Sequence, residues 1–259
     1  MTKPFITAAV HVEGTSLVIP RQFAAQLRRA DDFIKLAVAA ASMALDMHPR
    51  WQNLAEGSGL FVGTAFGPMQ TNFDVLGLIV DENQTSPTLF SHSVFNSAAG
   101  YLARLFSIQG SSQTFTDFSY PFFQALAAGA GAITSGRLKQ CLVVQVETYS
   151  DLLIDARQRT GQSASTWETG ATCWLLTSQD KIGWRIDDIA ITHSPAAAIE
   201  YLHRKESLHI NREDIPCPAP LSAAMKVSGF LSRENVDTDI DCTITAPYGS
   251  VGLKLLYNR

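Results

Sequence analysis

The chain has 259 residues, 46% of them hydrophobic and only 17% charged, with a formal net charge of −4. So much apolar content under so few charges suits a layered core or an oligomer better than a compact monomer. The acidic balance, with no basic cluster interleaved with aromatics, argues against a nucleic-acid partner. No run approaches the roughly 20 apolar residues of a membrane span.

In chain order, MTKPFITAAV lacks a signal-peptide cleavage pattern and opens a strand at Phe5–His11, and a cytoplasmic location is the expectation. ADDFIKLAVAAASMALDM (Ala30–Met47) reads as a long helix, with Asp31 and Asp32 where the helix dipole favours acids. Leu60–Thr64 follows as a short buried strand, then helices at Met69–Asp81 and Val94–Phe106 and a strand at Ser112–Phe115. From Gly110 to Gly136 the chain reads GSSQTFTDFSYPFFQALAAGAGAITSG, a strand turning sharply into a helix of small residues. Each glycine inside that helix costs roughly 1 kcal/mol against alanine. Close approach of another backbone inside a layered core is the expected compensation.

Strands return at Gln140–Val146 and Ala171–Leu176, separated by the polar stretch Asp155–Gly170, which reads as an exposed loop or cap. Further strands are expected at Trp184–Thr192, Asp241–Thr245 and Val251–Leu256, with a helix at Ala196–Lys205. Strands alternating with helices imply an α/β fold with a mainly parallel sheet. GLFVGTAFG has the wrong spacing for a dinucleotide loop. Cys141, Cys173, Cys217 and Cys242 are scattered without metal-ligand spacing and read as buried reduced thiols.

Ser119 stands at the turn into the small-residue helix, before Tyr120 and Pro121. Its plain reading is a helix N-cap. Its chemical reading is a nucleophile, which for a hydroxyl requires a positioned base. His11, His48, His92, His193, His203 and His209 all have structural roles by default. His193, at the end of a strand, is the choice if a base exists.

These motifs, in this order, resemble the β-ketoacyl synthases, the condensing enzymes of fatty-acid and polyketide assembly. The family's pattern is Gly-Pro-Ser, about five residues, Thr-Ala-Cys, then a small-residue helix ending in Ser-Gly. Counted from Gly110, its cysteine falls on Ser119 and its Ser-Gly on Ser135 and Gly136. Phe61–Thr71, Thr85–Gly110 and Trp167–Thr177 are similar to further family segments, so the resemblance spans most of residues 1–178. It implies a thiolase-type layered αβαβα fold with a nearly complete first half. Residues 179–259 then form a shortened second half within one compact unit.

In that second half, Asn211–Ser232 and Ile244–Tyr257 resemble the segments that carry the family's two catalytic histidines and its closing turn. The resemblance puts Leu221 and Phe230 at the histidine positions, with the loop between them deleted, so all three catalytic groups are missing. Phe118 and Phe230 would then fill a defunct site beside Ser119. Ser112, Gln113, Thr114 and Phe115 correspond to the strand that pairs across the family's two-fold axis, and His92 to its interface segment. Phe90, Val94, Phe95 and Phe118 become candidates for walling an acyl tunnel, with ordinary core packing as the alternative.

The implied function is that of a non-catalytic, chain-length-factor-like subunit. It would pair with an active β-ketoacyl synthase and shape its acyl tunnel, meeting acyl carrier protein indirectly, without cofactor or metal. Aryl-polyene, polyketide or fatty-acid-type biosynthesis is the context implied. An acyltransferase using Ser119 and a homodimeric acyl-binding scaffold are the alternatives.

Overall fold

The computed structural model describes residues 2–47, 57–159, 167, 169–178, 182–193, 207–210, 213–216, 220–233, 238–246 and 249–258. The first-half strands are β1 (Phe5–Glu13), β2 (Ser58–Thr64), β3 (Ser112–Thr116), β4 (Gln140–Glu147) and β5 (Gly170–Thr177). The second half supplies β6 (Gly183–His193), β7 (Ser207–Ile210), β8 (Glu213–Pro216), β9 (Ile240–Ala246) and β10 (Gly249–Asn258). All join one sheet in the order β3-β2-β4-β5-β1-β6-β10-β9-β7-β8. The helices are α1 (Asp32–Asp46), α2 (Met69–Asp81), α3 (Pro87–His92), α4 (Ser97–Leu105), α5 (Pro121–Thr134), α6 (Asp151–Arg159) and α7 (Ser222–Leu231).

β2, β4 and β5 are buried along their whole length, which is why they read as continuous apolar runs rather than alternating ones. On one face, α1 and α4 close over Leu60, Val62, Leu142, Val144 and Cys173. On the other, α5 and α7 share a single cluster with Phe61, Val143 and Trp174 of the first half and Ile244, Val251 and Leu253 of the second. The one sheet therefore carries α1 and α4 on one face and packs its two halves around α5 and α7 on the other. β9 alternates buried and exposed residues, as a strand with one covered face does. The expected helix at Ala196–Lys205 lies outside the described residues, as do His48, His203 and Cys217.

Three expectations are corrected. The sheet is not mainly parallel: β2 runs parallel to β3 and β4, and every other described pairing is antiparallel. Apolar runs report burial, not strand direction. The polar stretch from Asp155 is not loop at its start, because Asp155–Arg159 complete α6. Its first turn is capped by Ser150 Oγ, which accepts from Leu153 N–H at 3.2 Å. The helix expected at Val94–Phe106 begins at Ser97. A separate helix, α3, precedes it, capped by Ser86 with Pro87 in its first turn, and Val94 and Phe95 fall in the turn between the two.

Gly129 of α5 has a different cause from the one expected, whereas a Cβ at Gly131 would meet nothing within 4 Å. A Cβ at Gly129 would lie 3.0 Å from Cys141 Sγ and 3.2 Å from atoms of Phe61 and Val143, so side chains of β2 and β4 demand it. The backbone approach occurs at Gly63 of β2, where a Cβ would collide with the carbonyl of Pro121. Cys141, Cys173 and Cys242 are buried thiols, as expected, and burial pushes the Cys141 and Cys173 thiols up.

Candidate functional site

The turn into α5 is held by Asp117. Its Oδ1 accepts from the backbone N–H of Ser119 at 2.6 Å and of Tyr120 at 3.0 Å. Pro121 then opens the helix without an N–H to satisfy. Ser119 is therefore not the cap. It is 5% exposed, and its Oγ is buried without a hydrogen-bond partner among the described residues. The short Asp117 side chain, just upstream, reaches both successive amides with a single oxygen, which the hydroxyl of Ser119 does not do.

The other carboxylate oxygen of Asp117 faces the second half of the chain. Gln124 Nε2 donates to Oδ2 at 3.3 Å, and His193 Nε2, at the end of β6, lies 3.7 Å from it. Gln124 Nε2 is also 3.1 Å from His193 Nε2, so a neutral ring accepts from Gln124 while a protonated ring pairs with Asp117. The sequence's choice of His193 as a base thus lands beside the Ser119 turn. The ring nonetheless faces Asp117 and Gln124, and among the described residues it makes no bond to Ser119 Oγ. Tyr120 closes the same corner from inside. Its hydroxyl donates to the Gly249 carbonyl and accepts from Ala246 N–H at 3.0 Å, tying the start of α5 to the β9–β10 turn.

Leu221 and Phe230 lie at opposite ends of α7, not in a shortened loop. Nine helical steps separate them by about 13 Å. Leu221 is buried, with Cδ2 lying 3.3 Å from where a Cβ on Gly170 would stand. Phe230 is half-buried, with the Arg233 guanidinium 5.3 Å from its ring centre. Phe118 is 47% exposed and rests against Phe66 at 5.7 Å between ring centres, so it is no core filler.

Glu147, at the end of β4, is the buried charge that sequence reasoning missed. Its Oε1 accepts from Ala65 N–H at 2.6 Å and Gln145 Nε2 at 3.1 Å; its Oε2 accepts from Thr64 Oγ1 at 3.1 Å and Phe66 N–H at 3.3 Å. Burial pushes the carboxyl up to about 7, although these four donors favour its ionised form. Gln145 Nε2 also donates to the Pro220 carbonyl at 3.2 Å, so the network runs from the loop after β2 to the start of α7. That loop presents Phe66 to Phe118, Tyr149 and Trp167. Gly67 takes φ +62°, and a Cβ there would meet the Phe95 ring at 2.7 Å.

Two signals were readable. VQVE places Gln145 and Glu147 on one face of a strand that is apolar from Cys141 to Val144, where polar groups demand partners. Asp117 stands four residues before Pro121, at a helix entrance.

A broad surface nearby is apolar. Of α2, only Thr71 is buried, while Phe73, Leu76, Ile79 and Val80 are exposed. Phe90, at 64%, and Val94 and Phe95 are also exposed, which overturns ordinary core packing for them. Among the described residues β3 is an edge strand, bonded only to β2. Leu60 N–H donates to the Ser111 carbonyl and Asp117 N–H to that of Thr64, so odd-numbered residues face β2. The N–H groups of Ser112 and Thr114 therefore point to the open edge. His92 is buried, with Nε2 3.0 Å from Tyr101 Oη.

Two clefts of about 470 and 360 Å³ open at the start of α1, sharing Asp32 and Thr169. Their lining of Glu13, Asp31, Asp32 and Asp74 is electrostatically wrong for an anionic ligand. Among the described residues no three His, Cys, Asp or Glu side chains gather as a metal site requires, and no helix is long and apolar enough to cross a membrane.

Residues 19–210 match the family model of the β-ketoacyl synthase N-terminal domain. No curated protein matches the chain. Several solved structures share its fold. One is a type II polyketide synthase acyl-carrier protein in complex with its ketosynthase bound to the hexaketide. It matches with TM-score 0.64 and 18% identity, over 75% of this chain and 70% of that one. A β-ketoacyl synthase from Burkholderia phymatum matches with TM-score 0.65 and 12% identity, over 76% of this chain and 66% of that one. A chain from the complex of the ketosynthase ApeO with its chain length factor ApeC, from Xenorhabdus doucetiae, matches over 98% of this chain and 100% of its own length. There the TM-score is 0.62 and the identity 16%. These likenesses establish the thiolase-type layered fold. With most of its length matched by the family model, the chain belongs to the β-ketoacyl synthase family.

Proposed function

We propose that this chain is a non-catalytic, chain-length-factor-like subunit that pairs with an active β-ketoacyl synthase. One observation carries the reading: α2, α3 and the turn at Val94 and Phe95 expose large apolar side chains in a chain whose β3 is, among the described residues, an open edge strand. Monomers rarely leave so much contiguous apolar surface open to water. An open edge strand is a liability unless another chain covers it. Two chains meeting through β3 would continue the sheet across the contact, and the apolar face would lie against the partner. An interface of obligate type, on the order of 2,000 Å² or more, would result.

The end-to-end match with a chain of a ketosynthase–chain length factor complex supports a subunit of this size. Residues 179–259 then form the reduced second half. Phe90, Val94, Phe95 and Phe118 help to wall the partner's acyl cavity, and acyl carrier protein is met through the partner. The pathway is of the polyketide, aryl-polyene or fatty-acid type, in the cytoplasm. An acyltransferase using Ser119 would need a base on its hydroxyl, and His193 is turned to Asp117 and Gln124 instead.

Co-expression with a candidate ketosynthase, followed by sedimentation analysis, tests the pairing. A stable one-to-one complex is expected. A chain that sediments as a monomer and binds no ketosynthase ends this reading.

A further inference from the structure

The start of α5 has the makings of a reactive position. A helix of 14 residues presents its positive end there, and free amides at such an end stabilise thiolates and carbonyl oxygens that gain charge. Ser119 Oγ sits at this end, nine-tenths buried and without a partner among the described residues. The N–H groups of Ser119 and Tyr120 that would serve an incoming group are both taken by Asp117 Oδ1.

We propose that Asp117 is a built-in occupant of this anion site and holds residue 119 chemically silent. Its carboxylate sits where a substrate carboxylate or the carbonyl oxygen of a thioester would sit. Its charge also opposes any second anion, a thiolate at position 119 included. Gln124 fixes its other oxygen from the next turn of α5, and His193 reaches it from β6, so both halves of the chain hold the plug in place. His193 is the titratable side chain among the described residues that faces it; Gln124 is neutral. This deepens the reading of the chain as a non-catalytic subunit and rests on it.

The test introduces a thiol as a probe. Ser119→Cys, Ser119→Cys with Asp117→Asn, and Ser119→Cys with Asp117→Ser are titrated by thiolate absorbance, each against the same chain with Ser119 intact. The difference removes the signal of the native cysteines and needs no reagent access to the buried site. With Asp117 present, the introduced thiol should ionise at or above the ordinary value of about 8.5. Replacing Asp117 by either neutral residue should give at least about tenfold more thiolate at neutral pH. Serine caps helices as well as asparagine does, so the second variant keeps the turn folded if the first does not. His193→Gln in the Ser119→Cys background should shift the ionisation less than the Asp117 changes do.

Equal ionisation with and without Asp117 overturns the proposal. So does a thiol that already ionises well below 8.5 beside an intact Asp117. Both outcomes leave the subunit reading standing. That reading fails separately, if the unaltered chain acquires an acyl group on Ser119 from an acyl-carrier thioester.

Discussion

α1 and α2 are both apolar helices by sequence, yet they end in opposite surroundings. α1 buries ten residues, among them Phe33, Ile34, Leu36 and Val38, between the sheet and α4. α2 buries Thr71 alone and turns Phe73, Leu76, Ile79 and Val80 to the outside. Apolar content says that a helix must be covered; it does not say by which chain. α1 is covered by its own fold, whereas α2 has the composition of a buried helix and the position of a surface one. A helix in that position is stabilised by association, since its own packing contributes little.

The largest effect expected on this contrast is at the open edge strand β3. Thr114→Pro removes an N–H that points away from β2 and leaves the β2 ladder intact. Association with a ketosynthase should weaken more than about 1,000-fold, or about 4 kcal/mol, while the variant's own melting temperature changes little. Calorimetric binding of an unchanged strength would mean the edge is not the contact.

On the α1 side, Ile34→Ala should cost about 2–5 kcal/mol of the chain's own stability, read by urea unfolding. It should leave the affinity of the folded chain for its partner unchanged. A stability loss below about 1 kcal/mol would show that α1 is not the covered member of the pair.

A third effect depends on pH. Glu147 has an ordinary value of 4.5 and is raised to about 7 by burial in the folded chain. Its shift therefore favours the protonated fold: the stabilisation is fully present below about 4.5 and is lost as pH rises past about 7. Between pH 5 and pH 8 the chain should lose up to about 3 kcal/mol from this group. Glu147→Gln should flatten that slope. Parallel pH profiles for the two proteins would mean that Glu147 stays ionised throughout, held by its four donors.

The smallest expected effect is the most discriminating for α2. Leu76→Ser and Val80→Ser should change the stability of the isolated chain by less than about 0.5 kcal/mol and yet weaken the pair measurably. Loss of stability without loss of affinity would place α2 in the fold's own core. Phe90→Ala and Phe95→Ala extend the comparison to the partner's cavity. Longer products from the complex are expected if these rings wall it, and an unchanged product mixture would remove them from that role.

Much of the fold was legible because burial leaves a periodic trace. β1, β2, β4 and α1 were readable within two residues or so, since their apolar runs are long and their ends carry Asp31, Gly and polar punctuation. Strand direction was not legible. Neither were the split of α3 from α4 and the helix at Ser222–Leu231, where an alignment to a longer family made a loop the natural reading. At the candidate site, Ser119 was legible as a position and not as a state. Asp117 holds the turn it stands in, and the decisive fact about the Ser119 hydroxyl is the absence of a partner among the described residues.

By itself the sequence determined the order of elements, the apolar excess, the small-residue helix and a serine at the turn into it. Those are local properties, set by side-chain chemistry and spacing along one chain. Only the tertiary structure decided that Phe90, Phe95 and α2 face outward while Ile34 and Leu36 face in. It also decided that His193 reaches Asp117 from 76 residues away in sequence, and that Glu147 is enclosed by four donors. Hydrophobicity sets how much surface must leave water. The direction in which each surface turns, and which distant polar groups meet, follows from closing the sheet around α5 and α7.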